Sequence, residues 1–314
     1  MKGVTRPPIS AHMRYPRAGC GPAVCGTLAP AEMRVLASVR WMCCNPAMSK
    51  ILQRPGGTIG YDDTGGTGTL AIAAPGMGDL RQVYRHLIPE STKRGMRVVT
   101  MDMRGMGDST VGWPDYSDAA IGTDMLALAH HLAAGPAVLI GNSLSASSAV
   151  IAAVDDPSAV AGLVLIGPFA REIATPGWQK LLFRIMLSPP WGKAAWVSYY
   201  RNQMYPGDKP LDHDDYVAKL KANLSEPGRY KAFHSLAFNS HLESESRLER
   251  VACPVLVIMG TADPDFPDPQ VEARSLAEVL GAELRLIDGA GHYPQAQTPD
   301  QVADAIATFI ANMV

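Results

Sequence analysis

The residue types best suited to chemistry sit in turns that follow apolar runs. Val138-Leu139-Ile140-Gly141-Asn142-Ser143-Leu144-Ser145-Ala146 passes from an apolar run through a small-residue turn into an alanine-rich helical pattern. It reads as strand, sharp turn and helix, with Ser143 at the apex. A serine held in such a bend lifts its hydroxyl clear of the sheet edge. The peptide N–H after it begins a helix and can face a developing oxyanion. Gly141 suits a chain that crowds itself two residues before the apex. The pattern G-x-S-x-G has its last glycine replaced by Ser145, a small residue that still permits close packing of helix on strand. The plain alternative for Ser143 is a helix N-cap, a position serine favours in any case.

Two further turns carry candidates. Cys253-Pro254-Val255-Leu256-Val257-Ile258-Met259 ends in Gly260-Thr261-Ala262-Asp263-Pro264-Asp265-Phe266-Pro267-Asp268, which puts Asp263 at the mouth of a strand. A carboxylate there can be half shielded and still reach a partner. Asp265 competes with it, whereas Asp268 reads as the N-cap of the helix through Leu276, Val279 and Leu280. Leu284-Arg285-Leu286-Ile287 exits through Gly289-Ala290-Gly291-His292-Tyr293-Pro294, so His292 lies on a loop. The remaining histidines fall in helical patterns, in the middle segment or near the amino terminus, where surface or packing roles are expected.

The elements that must position these residues alternate along the chain. Thr58-Ile59-Gly60-Tyr61 followed by the turn residues Asp62 to Gly66 predicts an opening edge hairpin. Leu70 to Ala74 is an unbroken apolar run, suited to a strand buried on both faces of a parallel sheet. Val98 to Met101, the Val138 run and Ala161 to Ile166 repeat the strand pattern, with helical spacing between them. This predicts a doubly wound, mostly parallel α/β sheet with its ligand at the carboxyl ends of the strands. From residue 169 to about 250 the alternation stops. An aromatic-rich segment broken by Pro176, Pro189-Pro190, Pro206, Pro210 and Pro227 predicts several helices lying over the site as a cap. The expected organisation is a core of residues 51–168 and 251–314 with a cap of residues 169–250.

Composition narrows the function. The formal net charge is −2 over 314 residues. Nothing there supplies a basic field for nucleic acid or an anionic membrane, and the body has no apolar run of the roughly 18 residues a spanning helix needs. Residues 1–50 are basic and acid-poor and hold Cys20, Cys25, Cys43 and Cys44 of the five cysteines. Their spacing fits no zinc site, and the expectation is a disordered extension or translated sequence ahead of a start at Met48. With Cys253 the only cysteine of the body, a reducing cytoplasm is expected, with no disulfides, metal or cofactor.

Taken together these features resemble the α/β-hydrolase superfamily. The likeness covers Thr58 to the end. It rests on G-N-S-L-S at Gly141 to Ser145, D-x-R-G-x-G-x-S at Asp102 to Ser109, G-x-x-D at Gly260 to Asp263 and G-H at Gly291-His292. The resemblance implies a catalytic triad of Ser143, Asp263 and His292. It also implies an oxyanion hole from the N–H of Leu144 and that of Met77, in the loop after the Leu70 strand. Many members place His-Gly after that strand where this chain has Ala74-Pro75-Gly76-Met77, and the Asp102 to Ser109 run is expected to support the loop structurally. Serine excludes the branches with an aspartate nucleophile, haloalkane dehalogenases and most epoxide hydrolases. The expectation is a hydrolase of a small, mostly apolar ester or lactone. Behind it stand the carbon–carbon bond hydrolases of ring-cleavage pathways, similar in G-N-S, and a small-ligand sensor of the strigolactone and karrikin receptor kind, similar in S-x-S. The protein partner of such a sensor is left open.

Overall fold

Strands form at each of the apolar runs, and they assemble into one eight-stranded sheet of order β1-β2-β4-β3-β5-β6-β7-β8. The structure is a computed structural model that describes residues 49–173 and 176–313. The strands are β1 (Lys50–Arg54), β2 (Gly57–Asp63), β3 (Thr69–Ala74), β4 (Met96–Met101), β5 (Ala137–Asn142), β6 (Val160–Ile166), β7 (Val255–Gly260) and β8 (Glu283–Ile287). β1 pairs with β2 and β2 with β4 antiparallel, and every other neighbouring pair is parallel. The opening hairpin differs from the expectation in its turn. It closes at Pro55-Gly56 between β1 and β2, and the Asp62 to Gly66 turn leads away to the sheet interior. The expected extension lies outside the described residues up to residue 48, and Lys50 already belongs to β1.

The helices are α1 (Leu87–Lys93), α2 (Asp118–Leu132), α3 (Leu144–Asp155), α4 (Gly177–Met186), α5 (Gly192–Asn202), α6 (His213–Ser225), α7 (Arg229–Ala237), α8 (Leu242–Glu245), α9 (Pro269–Leu280), α10 (Pro294–Gln297) and α11 (Pro299–Asn312). Their ends follow local chemistry. Asp268 accepts a hydrogen bond from Val271 N at 3.0 Å and caps α9 as its position predicts, and Pro299 occupies the first turn of α11, where its missing N–H costs nothing.

Side-chain alternation along the strands divides the core. Val138 and Ile140 of β5 join one apolar cluster with Val83, Leu87, Ile306 and Phe309; Leu139 joins the other with Met125, Val150 and Leu276. Both faces of the sheet are therefore covered, as a parallel sheet requires. Helices α4 to α8 form the insertion between β6 and β7. Its buried Trp196, Tyr200, Phe233 and Leu236 extend the first cluster beyond the sheet. Among the described residues no helix is long and apolar enough to cross a membrane.

Candidate active site

β5 ends at Asn142 and α3 begins at Leu144, so Ser143 alone makes the bend, at φ 57° and ψ −123°. A serine in this positive-φ conformation is strained, and the strain persists because both sides hold it. Ser143 N donates to Ile166 O at 2.9 Å and Phe169 N donates to Ser143 O at 3.2 Å, both from the end of β6. A Cβ on Gly141 would meet Ser145 O at 2.5 Å and Ala146 Cα at 2.6 Å, so only glycine lets helix and strand approach this closely. The Ser143 side chain makes no cap bond to α3. The N-cap alternative is therefore not realised.

Ser145, standing where the family pattern has glycine, does more than stay small. Its hydroxyl accepts from Asn142 N at 2.9 Å and reaches Ala74 O at 2.7 Å, joining the bend to the last residue of β3. Asn142 Nδ2 donates to Ile166 O at 3.0 Å and lies 3.4 Å from His292 O, so the same bend touches the histidine loop. Neither contact is visible in the sequence, because the partners lie 71 and 150 residues away.

His292 and Asp263 are fully or almost fully buried, and His292 Nδ1 lies 2.8 Å from Asp263 Oδ2. The structure thus brings together these two residues from the ends of β7 and β8. The opposite nitrogen, Nε2, is buried with no hydrogen-bond partner among the described residues. An imidazole bonded at Nδ1 to a carboxylate presents Nε2 as an acceptor, the form able to take a proton. A buried polar atom without a partner in a native fold calls for an explanation.

Asp265 adds a second carboxylate. Its Oδ2 is 3.5 Å from the same Nδ1, its backbone N–H donates to Asp263 Oδ1 at 3.0 Å, and its other oxygen accepts from Tyr199 of α5. Burial alone would push the His292 imidazolium down; the charges of Asp263 and Asp265 and the Asp263 hydrogen bond outweigh it and hold the group up at about 9. Burial pushes the Asp265 carboxyl up against the opposing pull of His292, and burial with the Asp265 charge does the same to the Tyr199 phenol. The three groups offer ligand atoms within 4.8 Å of one another, a set able to hold a cation. Here Nδ1 is engaged in a hydrogen bond with Asp263 instead.

The loop after β3 lies against the serine. A Cβ on Gly76 would sit 3.0 Å from Ser143 Cβ and 3.5 Å from its Oγ, which brings the backbone just before Met77 to the hydroxyl. The N–H of Leu144 is one of the first donors of α3, which helix geometry leaves without an intrahelical acceptor. The Asp102 run holds Arg81, the residue that follows this loop. Asp102 Oδ1 accepts from Arg81 N at 2.8 Å, and the buried Arg81 guanidinium bonds Asp102, Asp62 and Asp108.

Asp79, two residues beyond Met77, is fully buried among tyrosines. It accepts from Tyr200 at 3.0 Å, from Tyr216 and from the Leu80 N–H at 2.8 Å. Tyr200 and Tyr216 belong to α5 and α6, and the rings of Tyr205 and Tyr293 pack at 5.0 Å beside them. Burial, only partly offset by these hydrogen bonds, pushes the Asp79 carboxyl up to about 6. His292 N also donates to Met204 O, so the helical insertion, the loop after β3 and the histidine loop meet around one buried carboxyl.

The Alpha/beta hydrolase family profile matches residues 71–305. Among curated proteins, a probable esterase of Oryza sativa subsp. japonica is 24% identical over 250 residues, covering 76% of this chain and 90% of its own length. "Karrikin insensitive 2 receptor CA" of Petunia hybrida is 24% identical over 253 residues, covering 76% and 90%. Among solved structures, a thermophilic esterase from Thermogutta terrifontis superposes with a TM-score of 0.67 at 24% identity, over 84% of this chain and 97% of that one. The sheet with its helical insertion between β6 and β7, the strained serine bend and the match along most of the chain place this protein in the α/β hydrolase family, as a hydrolase.

Proposed function

We propose that the protein is a serine hydrolase that cleaves a small, mostly apolar ester or lactone through an acyl-enzyme. Ser143 is the nucleophile, His292 the base and then the acid, and Asp263 the residue that fixes the imidazole tautomer and stabilises the imidazolium. The observation carrying this reading is the His292 ring, bonded at Nδ1 to Asp263 at 2.8 Å and presenting a buried, unpartnered Nε2. Nε2 takes the Ser143 proton as Oγ bonds to the substrate carbonyl carbon. The resulting oxyanion faces the N–H groups of Leu144 and Met77, each donor of this kind being worth on the order of 3 kcal/mol in the barrier. The imidazolium returns the proton to the leaving alkoxide, and water repeats the sequence to free the acid. The cap of residues 169–250, over a core of residues 51–168 and 251–314, closes an apolar pocket. A reducing cytoplasm suits Cys253, whose thiol burial pushes up to about 11, away from reactivity.

Turnover of p-nitrophenyl butyrate tests the reading. Ser143→Ala should lose at least about 10³-fold in kcat, and retention of wild-type turnover would overturn it. The likeness to a karrikin receptor supports a second reading, a ligand sensor that keeps the triad. One slow acylation without repeated turnover, with ligand-dependent melting, favours the sensor. A panel that includes vinylogous diketones separates the carbon–carbon bond hydrolases.

A further inference from the structure

Of ten large apolar side chains exposed among the described residues, five fall within residues 178–191: Trp178 at 66%, Leu181 and Leu182 at 58%, Ile185 at 49% and Trp191 at 53%. Four of them, at i, i+3, i+4 and i+7, form one continuous stripe along α4. Trp191 belongs to the same patch, because its indole N–H donates to Ile185 O at 2.8 Å and pins the ring over the end of the helix. No residue of α4 itself is buried, and its other side, Phe183 and Met186, already packs on the cap cluster. The stripe is therefore not a core face awaiting the rest of the fold.

The charged side chains carried by this stretch are of one sign. Lys180 and Arg184 lie on α4 and Lys193 follows, and the chain carries no aspartate or glutamate from residue 173 to residue 207. Glu172, just before this stretch, feels Lys180 but is itself held by Ser240 and the His241 N–H. A whole-molecule charge of −2 hides this local excess. Pairing two copies through the stripe would set these cations against their own kind, which disfavours a second copy as the occupant. An apolar face with two tryptophans and a lysine and arginine border is the pattern of a helix that lies in a lipid–water interface.

We propose that α4 and Trp191 dock the cap on an anionic lipid surface, from which the enzyme draws lipid-dissolved esters. The substrate part rests on Ser143 being the nucleophile; the docking part does not. The cap carrying α4 also donates Tyr199 to Asp265 beside His292, so a surface that holds the cap sits next to the chemistry.

Co-sedimentation of the intact chain with vesicles of phosphatidylglycerol and phosphatidylcholine, against phosphatidylcholine alone, tests docking. The expected result is binding to the anionic vesicles that high salt weakens. Leu181→Ser with Ile185→Ser should lower partitioning by about tenfold or more. Lys180→Glu with Arg184→Glu should abolish the preference for phosphatidylglycerol. Both variants should hydrolyse dissolved p-nitrophenyl acetate as the wild type does, while turnover of vesicle-borne p-nitrophenyl palmitate falls. Failure of the wild type to sediment overturns the proposal. So does equal binding by the apolar variant, or a dimer in light scattering that the apolar substitutions dissolve. Vesicle binding with no turnover of any ester would overturn the Ser143 reading and leave the docking surface standing.

Discussion

Two carboxylates face one imidazole nitrogen, and they are not equivalent. Asp263 Oδ2 is at hydrogen-bonding distance from His292 Nδ1, whereas Asp265 at 3.5 Å acts chiefly through its charge and is itself held by Tyr199. Asp263→Asn should therefore lower kcat by about 10⁴-fold, because the amide favours the wrong tautomer. Asp265→Asn should leave most of kcat in place and change the pH profile instead. With both charges present the free imidazole is held at about 9, so kcat/KM should climb with pH toward that value. Removing the Asp265 charge leaves burial less opposed, and the acidic limb should move to lower pH. Steady-state kinetics across pH on both variants checks the pair. A larger kcat loss in Asp265→Asn, or an unmoved limb, counts against this division of roles.

At the scale of elements, the bend is held by ties that cross the sheet. Ser145 joins it to the end of β3, which leads into the loop carrying Met77. Ser145→Ala should cost about 1–2 kcal/mol in a urea melt and lower kcat by about tenfold with KM little changed, because it relaxes the spacing of the N–H groups proposed as oxyanion donors, those of Leu144 and Met77. A kcat equal to wild type would place the tie in folding alone. The helical insertion is tied to the loop after β3 through Asp79. This carboxyl sits at about 6 in the folded chain against an ordinary 3.8, so the fold binds its proton more tightly than the unfolded chain does. Its contribution to stability is fully present below about pH 4 and is lost as pH rises through about 6. Relative to Asp79→Asn, the wild type should lose on the order of 3 kcal/mol between those limits. Chemical denaturation of both proteins at pH 4 and pH 7 measures it, and a pH-independent difference would contradict the assignment.

Across the whole molecule, the sheet and the candidates Ser143, Asp263 and His292 are legible because each lies where a strong local pattern breaks. Val138 to Ile140 is a buried run that can only continue as strand, and Gly141, Ser143 and the helical alanines mark its turn. His292 and Asp263 stand in glycine- and proline-rich exits from equally clear strands. β1 escapes a reading of the sequence because Lys50-Ile51-Leu52-Gln53-Arg54 has one buried side chain at an edge and charged ends, too weak a pattern to stand out. The Asp79 cluster, Tyr199 on Asp265 and the Ser145 tie are not legible at all. Their partners are tens to more than a hundred residues apart, and only folding brings them together. The aromatics of the insertion show the same limit: Trp196 and Tyr200 are core, Trp178 and Trp191 are exposed, and composition does not distinguish them.

In the proposed mechanism the Ser143 hydroxyl is activated by His292. The most direct measurement is the rate of labelling by a fluorophosphonate, with the adduct located by peptide mass spectrometry, in the wild type and in His292→Ala. A single adduct on Ser143 is expected, with labelling slowed by at least about 10³-fold without the imidazole. An adduct on another residue, or equal labelling rates in the two proteins, would contradict it.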